Sequence, residues 1–426
     1  MFPRSLRCGA GVTIGGRNDC PSSLARPRRT LRVGEVMWEK VAMHSPAYLF
    51  DLTDLHYAVG AGPFSGIPRV AMAYLERLLA SSADLYGFTR INGQIRLLDR
   101  QALADYADHL AGRRGFPPAS LAARIKEWPN RARAQSLTFL KRRAKARCRL
   151  ANLPATLARV LPQGFVWLAV AYTNFSADVF SVLRSLPHVQ IAVMIHDTIP
   201  ADFPDFFEKD AKAWFMRRLA AVSAMANLVI YNSQDCRMWS EFHFGALGRV
   251  PPGIVAHLGM TPLRPDMALL PPSVDFDRPS FVILGTIEPR KNHTLLLDIW
   301  ERFAAEAAAG DPRPMPQLLI LGRRGWRNAD LFRRLDASPQ KGVHIHEIAD
   351  LPDGGVAAVL TKARALLFPS VVEGFGLPAL EAALLRCPVI ANDLVVYREF
   401  LGDLPAYAPI SDAGRWADLI LSLIHI

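Results

Sequence analysis

Short apolar runs that end in glycine or a polar pair, each followed by a helical stripe, recur along this chain and constrain its fold more than any other feature. Phe281-Val282-Ile283-Leu284 leads into Gly285-Thr286-Ile287-Glu288-Pro289-Arg290-Lys291-Asn292, then into a helix with Leu295, Ile299, Phe303 and Ala307 on one face. Leu318-Leu319-Ile320-Leu321 runs into Gly322-Arg323-Arg324-Gly325-Trp326, and Ala365-Leu366-Leu367-Phe368 into a loop holding Gly374 and Gly376. Stretches around 48–53, 165–170, 190–195 and 228–231 repeat the pattern in the first half. Such runs read as strands buried on both faces, the mark of a parallel sheet covered by helices. Between the halves, Pro262, Pro265, Pro271, Pro272 and Pro279 make a stiff linker. The expectation is an α/β chain of two doubly wound, Rossmann-like domains facing a cleft. They span residues 45–260 and 281–426, with a Pro-rich linker at 261–280. Residues 1–44, rich in Arg, Gly, Pro and Ser without an apolar core, read as a disordered tail and not as a secretory signal.

The loop after Phe368 carries the densest chemistry. Gly374 and Gly376 flank Phe375, so the backbone bends and lets a ligand approach without a Cβ in the way. Pro378 suits the first turn of a helix, and Leu380, Leu384 and Leu385 give that helix its stripe. A helix N-terminus favours a phosphate, so Glu373 at the loop mouth and Glu381 one turn inside would face hydroxyl groups instead. Arg290 and Lys291 occupy the matching place after the 281–284 strand, where a fork and a point charge grip a diphosphate. His196-Asp197-Thr198-Ile199-Pro200 ends the 190–195 strand, where ligands bind in open α/β sheets, with Asp197 as the natural partner to orient the ring. Ordinary turns with solvated charges would carry the same residues.

Glu-x7-Glu around Gly-Phe-Gly-Leu-Pro resembles the donor-site signature of the family-4 (group 1) retaining glycosyltransferases, which have the GT-B fold. Gly-Thr-Ile-Glu-Pro-Arg-Lys-Asn is similar to the family's diphosphate loop, with Thr286 where many members have Arg. Ser65-Gly66-Ile67-Pro68-Arg69-Val70 and His196-Asp197-x-x-Pro200 resemble its N-domain motifs. The resemblance implies catalytic roles for His196, Glu373, Arg290 and Lys291. It implies donor binding by Gly66, Thr286, Arg290, Lys291, Gly374, Phe375, Gly376, Leu377 and Glu381. It implies no metal and no required cofactor beyond the nucleotide-sugar donor. The motifs are most like those of bacterial polysaccharide mannosyltransferases, so the lean is GDP-mannose, with a UDP-sugar as the alternative and a glycan or lipid-linked acceptor. The loop around 348–351 is where the family places the base. Members run on beyond the equivalent of Ile426, so the second domain is expected to be truncated.

Charge adds one more constraint. The segment 113–149 holds twelve Lys and Arg and one acid, Glu127; removing these from the chain's 50 basic and 39 acidic residues leaves 38 of each. One basic helical insertion therefore carries the whole excess. An anionic membrane surface is the expected partner, and nucleic acid is not; a solvated face would read alike. Five scattered cysteines fit a reducing cytoplasm, peripheral on the inner face of a membrane, with neither disulfides nor zinc. Two other readings stay open: a GT-B sugar-nucleotide epimerase, and a basic membrane- or nucleic-acid-associated protein with a non-catalytic nucleotide fold.

Overall fold

A computed structural model describes residues 47–424; the expectation for residues 1–44 falls outside them. The first sheet comprises β1 (Ala47–Asp51), β2 (Leu85–Ile91), β3 (Gln94–Leu98), β4 (Ala146–Cys148), β5 (Phe165–Ala169), β6 (Val189–Ile195), β7 (Leu228–Tyr231) and β8 (Gly253–Val255). Their spatial order is β4-β3-β2-β1-β5-β6-β7-β8. The second sheet comprises β9 (Ser280–Leu284), β10 (Gln317–Leu321), β11 (Ile345–Ile348), β12 (Ala365–Phe368), β13 (Val389–Ala391) and β14 (Ala406–Tyr407). Its order is β11-β10-β9-β12-β13-β14, parallel throughout. Each sheet is sandwiched by two apolar layers, one on either face, so the central runs carry no polar face.

The order of the second sheet decides where a ligand could sit. The chain leaves β9 toward β10 and β11, then returns to β12 on the other side of β9. The loops after β9 and β12 therefore diverge at a topological switch point, where α/β sheets open a crevice. The first sheet reverses in the same way between β1 and β5.

Four local expectations need correction. The stretch 97–161 is mostly helical in its sequence character, yet it contains β4 and the end of β3, and β2-β3-β4 form an antiparallel edge on an otherwise parallel sheet. The segment 113–149 is accordingly no insertion laid over the core. Its helix Arg131–Arg143 buries Ala134, Leu137, Phe139 and Leu140, and its β4 completes the sheet. A three-residue strand bearing Arg147 has too little apolar period to be seen in sequence. Val70, Tyr74 and Leu78 fall on one helical face and suggest a helix from about Ala71, but it begins at Gly66, because Pro68 is tolerated within the first turn. Val343-His344-Ile345-His346 alternates as a strand would, but the strand begins at Ile345.

Candidate active site

After β9 the chain makes one 3₁₀ turn, Pro289–Lys291, and enters the helix His293–Ala308 through Asn292. Asn292 has φ +55°, a left-handed conformation that Asn accepts more readily than most residues. This turn directs Arg290 and Lys291 toward the neighbouring loop after β12. The two loops are joined by the Val371 N–H donating to Arg290 O at 2.8 Å. As a result Glu373 is held from two sides: Lys291 Nζ lies 2.5 Å from Oε1 and Arg290 2.7 Å from Oε2. Ser370 donates to the same carboxylate at 2.8 Å, and Arg290 also reaches Glu288 at 2.6 Å. Burial pushes the Glu373 carboxyl up, but the Arg290 and Lys291 cations override it and hold it down at about 2. The solvated-turn reading therefore fails: Lys291, Glu373 and Glu381 are all buried.

Glu381 lies in the helix Leu377–Leu384, whose start is set by Gly376 at φ +108° and by Pro378. It pairs with Arg69, from the first turn of the helix Gly66–Ala80 in the other half. Burial raises the Glu381 carboxyl, with Arg69 opposing. Both side chains line a cleft of about 470 Å³ together with Gly66, Gly285, Thr286, Arg323, Asp350, Leu377 and Pro378. The cleft thus runs between the two sheets, and the loop expected to meet a base, Ile348 to Leu351, forms one wall. Gly322, also lining the cleft, lies so near the tip of β9 that a Cβ there would come within 2.0 Å of Gly285 O.

His196 directly follows β6 and faces the loop after β12. Its Nε2 lies 2.7 Å from Val170 O, which only accepts, so the proton is on Nε2 and Nδ1 is left as an acceptor. Burial pulls its pKa down to about 4, so the ring is neutral at pH 7. Asp197 does not orient the ring: its carboxylate accepts from Ile199 N at 3.0 Å and feels Arg290. Gly374 makes a close approach, though to protein: a Cβ there would meet His196 O at 2.7 Å and Asp197 Cβ at 2.8 Å. Phe375 is a peg, stacked on Phe400 at 4.3 Å between centroids.

The structure thus gathers Arg290, Lys291 and Glu373 in one cluster and sets Gly66, Thr286, Leu377 and Glu381 around the cleft. His196 and Gly374 form the contact beside it, while Phe375 packs on Phe400. Reading the sequence missed Arg69, whose partner lies 312 residues away, and the bridges from Arg323 to Ala61 O, Trp326 to Phe206 O and Arg327 to Phe207 O that close the halves.

Two Rossmann-like sheets with a cleft between them define a GT-B protein. The fold matches that of the Anabaena protein HepE, solved with UDP and glucose, at TM-score 0.54 and 14% identity, covering 89% of this chain and 90% of that one. More particularly, residues 278–425 match the family described as glycosyl transferases group 1. Among curated relatives, the serotype-specific mannosyltransferase WbdA of Escherichia coli is 29% identical over 232 residues, 48% of this chain and 26% of that protein. The O-antigen chain mannosyltransferase B of Escherichia coli is 32% identical over 142 residues, 33% of this chain and 36% of that protein. The chain thus aligns with only about a quarter to a third of these relatives' length. No helix among the described residues is long and apolar enough to cross a membrane.

Proposed function

We propose that this chain is a retaining glycosyltransferase that moves a sugar from a nucleotide-sugar to a glycan or lipid-linked acceptor of a surface polysaccharide. The observation that carries the proposal is the Lys291–Glu373–Arg290 cluster at the switch point of the second sheet, beside a cleft lined by Glu381 and Arg69. In this reading Lys291 and Arg290 stabilise the diphosphate as it leaves, assisted by the N-terminus of the helix Leu377–Leu384. Glu381 accepts from ribose hydroxyls, Glu373 from the sugar, and the free Nδ1 of neutral His196 from another sugar hydroxyl. The bond from the anomeric carbon to the phosphate oxygen breaks, and the acceptor oxygen takes its place on the same face. The acceptor proton passes to the departing phosphate. No metal or other cofactor is assigned a role.

The names of WbdA and the O-antigen enzyme support mannose, hence GDP-mannose, as the donor; the UDP and glucose in HepE keep a UDP-sugar as the alternative. A cytoplasmic setting is part of the proposal, and the free, buried thiols of Cys148, Cys236 and Cys387 accord with it. The test is a thermal-shift screen of GDP-mannose against UDP-sugars, followed by turnover with the donor that binds. A nucleotide-sugar that binds only the folded state raises the melting temperature. If none does so, the proposal is lost.

A further inference from the structure

The segment that carries the chain's whole charge excess has an unusual surface. Its single acid, Glu127, turns inward: it is buried, 3.7 Å from His56 Nε2 and 3.9 Å from Arg133. The outward face is left with cations alone. Arg113, Arg114 and Arg143 at its edge are matched by Asp108, Glu76 and Asp105. Arg124, Lys126 and Arg131 are exposed and have no ion pair among the described residues. Burial and then the charge of Lys126, with Arg96 and Arg147, pull the nearby Lys141 ammonium down, as expected of crowded, unneutralised cations.

Amid these cations stand Leu121, Ile125 and Trp128, 73%, 71% and 83% exposed, the three most exposed large apolar side chains among the described residues. Their spacing puts them on one side of the helix Leu121–Lys126 and the turn after it, while Ala123 and Glu127 face inward. The mount is firm. Ser120 caps the helix and donates its N–H to Thr138 Oγ1 at 2.9 Å. Asn130 caps the next helix and donates to Val59 O at 3.0 Å. Val59 lies two residues from Ala61, whose carbonyl meets Arg323 at the cleft, so this face adjoins the mouth of the candidate active site.

We propose that Leu121, Ile125 and Trp128, ringed by Arg124, Lys126 and Arg131, dock the acceptor half on an anionic lipid bilayer beside the cleft mouth. Phosphate headgroups match the unpaired cations, and the acyl boundary accepts three apolar side chains that water penalises. Nucleic acid matches the cations alone, since Leu and Ile offer no stacking face and a single Trp is a meagre platform. The inference extends the proposed function by saying where a lipid-linked acceptor is met. It is tested without donor or turnover, so either can fail alone.

The experiment is flotation of the full chain with vesicles of phosphatidylcholine, with and without phosphatidylglycerol, at physiological salt. The chain should float only with the anionic vesicles. The triple variant Leu121→Ser/Ile125→Ser/Trp128→Ser and the charge reversal Arg124→Glu/Lys126→Glu should each lower partitioning about tenfold or more. Only the charge reversal should flatten the salt dependence. Because all five side chains are exposed, melting temperatures should match the parent's, which separates lost docking from lost folding. The proposal is overturned if the parent ignores anionic vesicles, or if the folded triple variant floats as the parent does. It is equally overturned if single-stranded RNA binds with a steep salt slope while vesicles do not.

Discussion

Arg69 and Glu381 form an ion pair across the cleft, joining the first turn of a helix in one half to the second turn of a helix in the other. Both side chains line the space assigned to the nucleotide-sugar. Under the proposed function, Arg69 would be a cation available to the donor phosphates, and Glu381 a carboxylate that ribose hydroxyls share with it. Arg69→Met should weaken binding of the nucleoside diphosphate about ten- to a hundredfold, the loss of one charge-assisted hydrogen bond of roughly 1.5–3 kcal/mol. Calorimetric titration of GDP and UDP against both proteins checks this; equal affinities would remove Arg69 from the site.

Lys291 and Glu373 are buried together, so removing one strands the other. Lys291→Met should cost about 3 kcal/mol of stability, because Arg290 alone must then balance Glu373 and Glu288. The double variant Lys291→Met/Glu373→Gln should cost less than the sum of the single changes, since no carboxylate is then left short of a partner. Urea unfolding of the four proteins measures the coupling, and strict additivity would show that the pair is not a unit. Turnover of folded Lys291→Met should fall about a hundredfold or more if the ammonium stabilises the leaving diphosphate.

Gly374 has no room for a side chain, since a Cβ would press on His196 O and Asp197. Gly374→Ala should force the loop after β12 away from the tip of β6. We expect kcat/KM to fall at least tenfold, as displacement by about an ångström does in a positioned site, with a smaller change in nucleotide affinity. Wild-type kcat/KM in this variant would show that the contact has no bearing on turnover.

Adjacent residues at the tip of β6 respond to acid with opposite sign. The Asp197 carboxyl is raised by burial from 3.8 to about 6, so folding gains stability as pH falls from about 6 toward 3.8. His196 is lowered by burial from 6.5 to about 4, so stability is lost as pH falls across that span. The two effects cancel over much of the range from about 6 to 4. Relative to the parent, Asp197→Asn should lose about 1.4 kcal/mol more per pH unit of acidification there, and His196→Gln should gain a similar amount. Urea midpoints at three pH values in this window give the slopes; parallel curves for all three proteins would refute the assignment.

The candidate site was legible where function depends on local backbone. Glycine loops at the tips of apolar strands announced Arg290, Lys291, Glu373 and Glu381, because a parallel strand brings each such loop to the same edge of its sheet. The edge β2-β3-β4 was not legible, since β4 is three residues long and its partner lies some fifty residues back in the chain. The segment 113–149 showed its charge plainly and its packing not at all. Whether Glu127 faced water or His56 depended on a helix 71 residues earlier, whose contacts no local pattern records.

By itself the sequence determined the two α/β halves, the Pro-rich link and the strand-tip residues, because periodicity and glycine placement act over a single turn or strand. Tertiary structure alone decided which of those residues meet. It wrapped Glu373 between two cations, set Arg69 against Glu381, turned Glu127 inward and left Leu121, Ile125 and Trp128 bare. Such pairings depend on strand order and on how the halves close, and these are settled by burial of apolar surface summed over the whole chain rather than by any one stretch of it.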